Sequence, residues 1–427
     1  MHFLLRAPYA LIGSVAEAAV ALAPAGSAKW QRALRGRHGL EKRLSQFQRD
    51  DTRPLIWFHA PSVGESLQAL PVVERLRAQS QPPQVAVTWY SPSAEAFAKR
   101  FDVDYRDYLA FDTTRGAHRA LDALRPNALV YAKLDVWPVL TARASARGVP
   151  VGMISATLSE GSRRRGGVAR MLLRDAYARL ALVGAITADD AERLVDLGVR
   201  RDAIRVTGDT RCDQVWERVR ATDRSRPPLS DLVSDRPTLV AGSTWPSDEA
   251  HLLPAWDLVR REIPTARIII APHEPTSAHT DPLVAWAKRV GLSAAVLSDR
   301  NAASADVVIV DRVGVLADLY SLGLIAFVGG GFHAAGLHSV LEPAAAGAAV
   351  VHGPGWRDSP DAGRLIAAGA GAAVADGAEL ARTLIGWLRD PASARGVGAH
   401  GTAFVQSHLG AADRALSLIS ELRALKG

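Results

Sequence analysis

The chain has 427 residues, of which 48% are hydrophobic and 22% charged, with a formal net charge of +7 and a pI near 9.8. That length exceeds one ordinary core and suits two or three domains. The basic balance points to anionic partners, and the single cysteine, Cys212, excludes a disulfide framework and a cysteine-rich metal site and fits a reducing compartment.

No apolar run reaches the length of a membrane span. Phe3–Leu5 and Tyr9–Ala23 come nearest, but Arg6 and Glu17 interrupt them. Lys29, Arg32, Arg35, Arg37, Lys42 and Arg43 follow. This pattern suits a helix lying on an anionic membrane surface; an amphipathic helix packed on the next domain explains it too. No convincing signal-peptide cleavage site follows.

From Pro54 short β-branched runs alternate with helical patterns. The predicted strands are Leu55–His59, Val85–Trp89, Ala128–Tyr131, Pro150–Ser155, Val183–Thr187 and Ile204–Thr207. Helices fit between them, among them 94–101, 117–124 and 188–197. Such alternation predicts βαβ units and a parallel sheet. The rhythm stops over Val215–Pro237, which carries Pro227-Pro228 and reads as a linker. It restarts with strands at Thr238–Ala241, Arg267–Ile270, Ala294–Leu297, Val307–Val310, Ile325–Val328 and Ala349–His352. A last periodic segment, Ala411–Leu425, reads as a closing helix. The expected fold class is therefore α/β, with two doubly wound halves.

In parallel sheets, ligands bind where the loops leave the C-terminal strand ends. Two such loops stand out. Ala326–Glu342, AFVGGGFHAAGLHSVLE, reads as strand, glycine turn and helix start. Glycines admit close backbone approach, and a helix start favours an anion, so the turn at Gly329 and Gly330 is expected to face a phosphate and Glu342 to hold sugar hydroxyls. Upstream, Pro61–Ser66 places Glu65 at a helix start after the first strand. Helix capping accounts for a Glu there equally well. The other strand ends add Lys133 and Asp135, Arg163–Arg165, Asp209 and Arg211, and His273 with Glu274. One carboxylate among cations, opposite a phosphate site, suits transfer to a hydroxyl. The carboxylate removes the proton and the cations stabilise the leaving phosphate. No His/Asp/Glu cluster has metal-ligand spacing, so no metal is expected.

The motifs HAPSVGES, KLDVWP, SATLSEGS, GDTRCD, AGSTWPSDE, APHEP and GLHSVLEPAAAG occur in that order between about Trp57 and Ala372. Together they resemble the Kdo transferases, which attach 3-deoxy-D-manno-octulosonic acid (Kdo) to the lipid A precursor. The resemblance implies a GT-B fold whose two halves face a cleft, CMP-Kdo as donor and no cofactor. It also implies inverting transfer in lipopolysaccharide biosynthesis, at the cytoplasmic face of the bacterial inner membrane. The partners expected are CMP-Kdo, the lipid A precursor and an anionic membrane surface, with no nucleic acid.

By the same resemblance Glu65 is the catalytic base of a VGE motif. Arg211 replaces a Lys that stabilises the transition state, and Lys133 stands where the family often has Glu, with Asp135 for a second Glu. Ala271, Pro272 and His273 match a Pro-Arg-His donor segment without its Arg. Val313, Gly314 and Val315 match a Met-Gly-Glu-type donor loop without its acid. Ser339, Val340, Leu341 and Glu342 match the Asn-x-Leu-Glu segment that grips CMP, and Leu337 replaces a glycine. The implied division is a membrane-proximal segment 1–45, an acceptor domain 46–215, a linker 216–236, a nucleotide-sugar domain 237–407 and a closing helix 408–427. A UDP-sugar epimerase-like enzyme and a non-catalytic nucleotide- or lipid-binding derivative are the alternatives.

Overall fold

The computed structural model describes residues 28–159, 161–357 and 359–426. The apolar stretch Tyr9–Ala23 lies outside them, as does Glu160. The chain forms two compact units, one running to Gln214 and resuming at Leu409, the other spanning Val215–His408.

Among the described residues the first unit has one sheet of seven parallel strands: β1 (Leu55–His59), β2 (Gln84–Trp89), β3 (Tyr105–Tyr108), β4 (Ala128–Ala132), β5 (Val151–Ala156), β6 (Leu182–Ala185) and β7 (Ile204–Val206). Their order is β3-β2-β1-β4-β5-β6-β7. Alternate residues of β1 feed opposite cores. Leu55 and Trp57 join one, and Ile56 and Phe58 join the other, as the two-residue strand period requires. Both faces are covered, which is why these strands read as unbroken apolar runs.

The second unit repeats the plan with β8 (Thr238–Thr244), β9 (Arg267–Pro272), β10 (Ala294–Val296), β11 (Val307–Ile309), β12 (Ile325–Val328), β13 (Ala349–His352) and β14 (Gly371–Ala373). The order is β10-β11-β9-β8-β12-β13-β14, again among described residues. In each sheet the chain winds outward in opposite directions from two central neighbours, β1 and β4 in one, β8 and β12 in the other. The loops leaving those pairs part and open a crevice at the C-terminal strand ends.

Two strands escaped the sequence pattern. β3 is Tyr-Arg-Asp-Tyr and β14 is Gly-Ala-Ala. Both are short sheet-border strands that carry little of the β-branched signal. The stretch read as a linker begins inside the helix Thr210–Ala221 and ends with Leu229 and Leu232 buried in the second unit's core. The closing helix, Ala411–Ala424, returns to the first unit. Its Leu418, Ile419 and Leu422 share a core with Ile56 and Phe58. Among the described residues no helix is long and apolar enough to cross a membrane.

Candidate active site

In the first unit β1 is followed by Ala60-Pro61-Ser62, and the helix Val63–Arg77 starts at once. Glu65 lies in its first turn, where the helix dipole favours a negative charge. The side chain is 11% exposed. Ser62 Oγ donates to Glu65 Oε2, so the carboxylate is held against its own helix start. Lys133 Nζ lies 3.6 Å from Glu65 Oε1. Lys133 is the first residue after β4 and adopts a left-handed backbone, φ 69°. The two side chains thus leave the two central strands and meet at the point where the sheet reverses direction.

Behind them sits an aromatic wall. His59, the last residue of β1, is fully buried, with Nδ1 3.0 Å from Thr88 Oγ1. Its ring meets Trp137 edge to face at 5.3 Å. Burial holds the His59 imidazole down at about 3, so the ring is neutral at physiological pH. Trp137 caps the helix Pro138–Ala146 after the Lys133 loop, so the ring contact joins the Glu65 and Lys133 loops a second time.

Arg211 is tied differently from expectation. Its Nε donates to Asp209 Oδ2 at 2.9 Å and its backbone N–H to Asp209 Oδ1 at 2.9 Å. Burial opposes the charge on Asp209, but Arg211 and its hydrogen bonds outweigh it and hold the carboxyl below its usual range. The Arg211 guanidinium is therefore a balanced charge, and Lys133, 45% exposed, is the freer cation. Thr210 Oγ1 donates to Gln68 O at 2.7 Å, fastening this loop to the Glu65 helix. Asp135 pairs with Arg164, not with Lys133.

In the second unit the loops after β8 and β12 lock together. Asp248, fully buried in the first turn of the helix Pro246–Glu262, accepts from the N–H groups of Trp245 (3.0 Å), Gly330 (2.8 Å) and Phe332 (3.0 Å). Gly329 N–H donates to Gly242 O at 2.9 Å. A Cβ on Gly329 would lie 2.2 Å from Ser243 O, and Gly330 has φ +89°. These glycines bring one loop against another, and their N–H groups are engaged within the protein. A phosphate facing the turn at Gly329 and Gly330 therefore meets N–H groups that already have partners.

Three histidines gather beside these loops, His273 exposed and His333 and His338 half-buried. Trp245 stacks on His273 at 4.4 Å and on His333 at 4.3 Å, and its Nε1 donates to His338 Nε2 at 3.1 Å. A neutral His338 that accepts at Nε2 carries its proton on Nδ1. Burial, then the neighbouring His273, holds His338 down at about 4, and burial also lowers His273. Ser339 is exposed and Glu342 half-buried, whereas Val340 and Leu341 are core side chains, each 1% exposed. Any ligand contact by those two runs through the backbone. Ala271 and Pro272 are likewise buried in β9. Gly314 O accepts from Arg218 Nη2 at 3.0 Å, which anchors the Val313–Val315 loop. Trp245 and His338 lie in strand-end loops that the sequence places at the ligand edge, whereas Asp248 and His333 were not singled out; the AGSTWPSDE and FHAAGLH segments were their only signal. Among the described residues no group of three His, Cys, Asp or Glu is placed to hold a metal.

Two parallel-sheet units, each with polar loops where its sheet reverses direction, define an α/β fold of the GT-B type. The comparisons agree. A 3-deoxy-D-manno-octulosonic-acid transferase (kdotransferase) family model matches residues 38–214. A 3-deoxy-D-manno-octulosonic acid transferase of Bordetella pertussis is 30% identical over 394 residues, 86% of this chain and 87% of the relative. One of Haemophilus influenzae is 24% identical over 315 residues, 73% of each chain. The UDP-GlcNAc 2-epimerase of Neisseria meningitidis bound to UDP-GlcNAc shares the fold, with TM-score 0.62, 15% identity and coverage of 86% of this chain and 99% of that one. The chain belongs to the 3-deoxy-D-manno-octulosonic acid transferase family of glycosyltransferases.

Proposed function

We propose that this enzyme transfers Kdo from CMP-Kdo to a primary hydroxyl of the lipid A precursor, with inversion, at the cytoplasmic face of the bacterial inner membrane. The observation that carries the proposal is Glu65, shielded at a helix start at the sheet reversal point with Lys133 3.6 Å away. Glu65 takes the proton from the acceptor hydroxyl. The oxygen attacks the anomeric carbon, the bond from that carbon to the CMP phosphate breaks, and CMP leaves with the electron pair. Lys133 offsets the negative charge, and Arg211, already paired with Asp209, does so only in part.

The second unit holds the nucleotide. His273, His338 and Ser339 offer hydrogen bonds to the phosphate and sugar, and Glu342 accepts from ribose hydroxyls. Gly329, Gly330 and the buried residues Ala271, Pro272, Val340 and Leu341 shape that surface from behind. Val313, Gly314 and Val315 form a loop at its side. The basic N-terminal segment contacts the anionic membrane surface. No metal or cofactor enters the scheme, so turnover in excess chelator is expected to match turnover without it.

The test is product mass after incubation with lipid A precursor and CMP-Kdo. Glu65→Gln is expected to lower turnover by about 10²–10⁴-fold with CMP affinity retained. Unchanged turnover would remove Glu65 from the role. Conversion of UDP-GlcNAc with no lipid product would favour an epimerase instead.

A further inference from the structure

The loop after β3 and the helices Ala28–Arg37 and Leu40–Ser45 surround an open cavity of about 1050 Å³ in the first unit. Leu40 and Leu44, both buried, and Leu34 and Phe111, half-buried, form its apolar floor. Arg35 and Arg115 stand exposed on its rim, and neither forms an ion pair with a described residue.

Not every cation of this region is free. Arg37 donates to the carbonyls of Ala33 (2.9 Å), Leu109 (2.9 Å) and Tyr90 (3.1 Å). It also lies over the Tyr90 ring at 4.3 Å. Arg43 is bound to Asp107 at 2.6 Å, and Arg119 pairs with Glu41 at another side of the rim. What remains is a greasy floor beneath two guanidinium groups, Arg35 and Arg115, that have no ion-pair partner among the described residues. A small anion has no use for the floor, and a neutral oil has none for the arginines. An anionic amphiphile uses both.

The cavity also lies at the edge that carries Glu65. Phe111 meets Tyr90 at 6.4 Å, Tyr90 meets Trp137 at 4.9 Å, and Trp137 meets His59 at 5.3 Å. Asp112 accepts from Val139 N–H (3.0 Å) and Leu140 N–H (2.9 Å), fixing the cavity loop to the helix that follows Lys133.

We infer that this cavity binds an acyl chain together with its nearby phosphate on the lipid acceptor, an assignment that rests on the acceptor class proposed above. The chain lies on Leu34 and Phe111, and Arg35 and Arg115 hold the phosphate.

Calorimetric titration of the full chain with dodecyl phosphate, below its micelle concentration, tests this. Inorganic phosphate and dodecanol are the comparison arms. Saturable binding of dodecyl phosphate at least about tenfold tighter than either is expected. The double variant Arg35→Glu/Arg115→Glu should lose about tenfold or more of that affinity while its circular dichroism is unchanged. Leu34→Trp, which fills the floor, should weaken binding and raise KM for an acylated acceptor. Equal affinity for inorganic phosphate would make this a plain anion site and overturn the inference. So would absent binding, or binding that appears only once residues 1–27 are removed, which would make that segment the occupant. The titration requires no transfer, so an inactive but binding protein would sink the proposed reaction alone, and an active but non-binding one the cavity alone.

Discussion

Lys133 holds two properties in tension. Its φ of 69° is a conformation in which a side chain costs about 1–2 kcal/mol relative to the right-handed region and glycine costs little. Its ammonium is also the cation nearest Glu65. Lys133→Gly is therefore expected to keep or raise the melting temperature while turnover falls by about 10². Full turnover in that variant would show that the charge is not used. His59 makes a separate prediction. Its folded value of about 3 lies below the ordinary 6.5, so the unfolded chain binds a proton first as pH drops. The stabilisation is complete above pH 6.5 and is lost as pH falls from 6.5 towards 3, at up to about 1.4 kcal/mol per pH unit. Melting temperature followed from pH 7 to pH 5 should fall less steeply in His59→Gln than in the parent. Parallel slopes would assign the acid sensitivity to other groups, among them His338.

Asp248 does the equivalent work for an element. A single carboxylate in the first turn of the helix Pro246–Glu262 gathers three N–H groups from two loops. Asp248→Asn puts an amide where an acceptor is needed and leaves a buried N–H unpaired, at a cost of about 1–3 kcal/mol. Urea unfolding and CMP binding should both weaken, because the Trp245–histidine stack rests on these loops. Little of this was legible in the sequence, where Asp248 reads as an ordinary helix-start acid. His338 lies 93 positions from the indole it accepts from, and no local pattern reports such a pair. Glu65 was legible because strand, turn and helix are consecutive in the chain. Its partner Lys133 was recognised as a strand-end cation, but the ion pair depends on β1 and β4 being neighbours, which follows from the winding of the whole sheet. The central strands declared themselves through burial on both faces; β3 and β14, at or near the sheet borders, had no such obligation.

At the scale of the molecule, the first unit is built from both ends of its sequence. Asp213 accepts from the N–H groups of Gly410 (2.8 Å) and Ala412 (2.9 Å), capping the final helix. Arg75, on the Glu65 helix, donates to Asp413 at 2.7 Å. Leu418, Ile419 and Leu422 lie within 4% of full burial, so removing residues 409–427 should leave the first unit open to limited proteolysis and the second unit resistant. Equal resistance of the two would contradict the shared core. The same arrangement sets the order of events during synthesis. Residues 215–408 can close their own core as soon as they clear the ribosome, whereas the half that was made first must wait, with β4, β5 and β6 bare on the side where the helix Ala411–Ala424 packs, for that helix to arrive. Chaperone dependence should accordingly concentrate on the segment translated earliest.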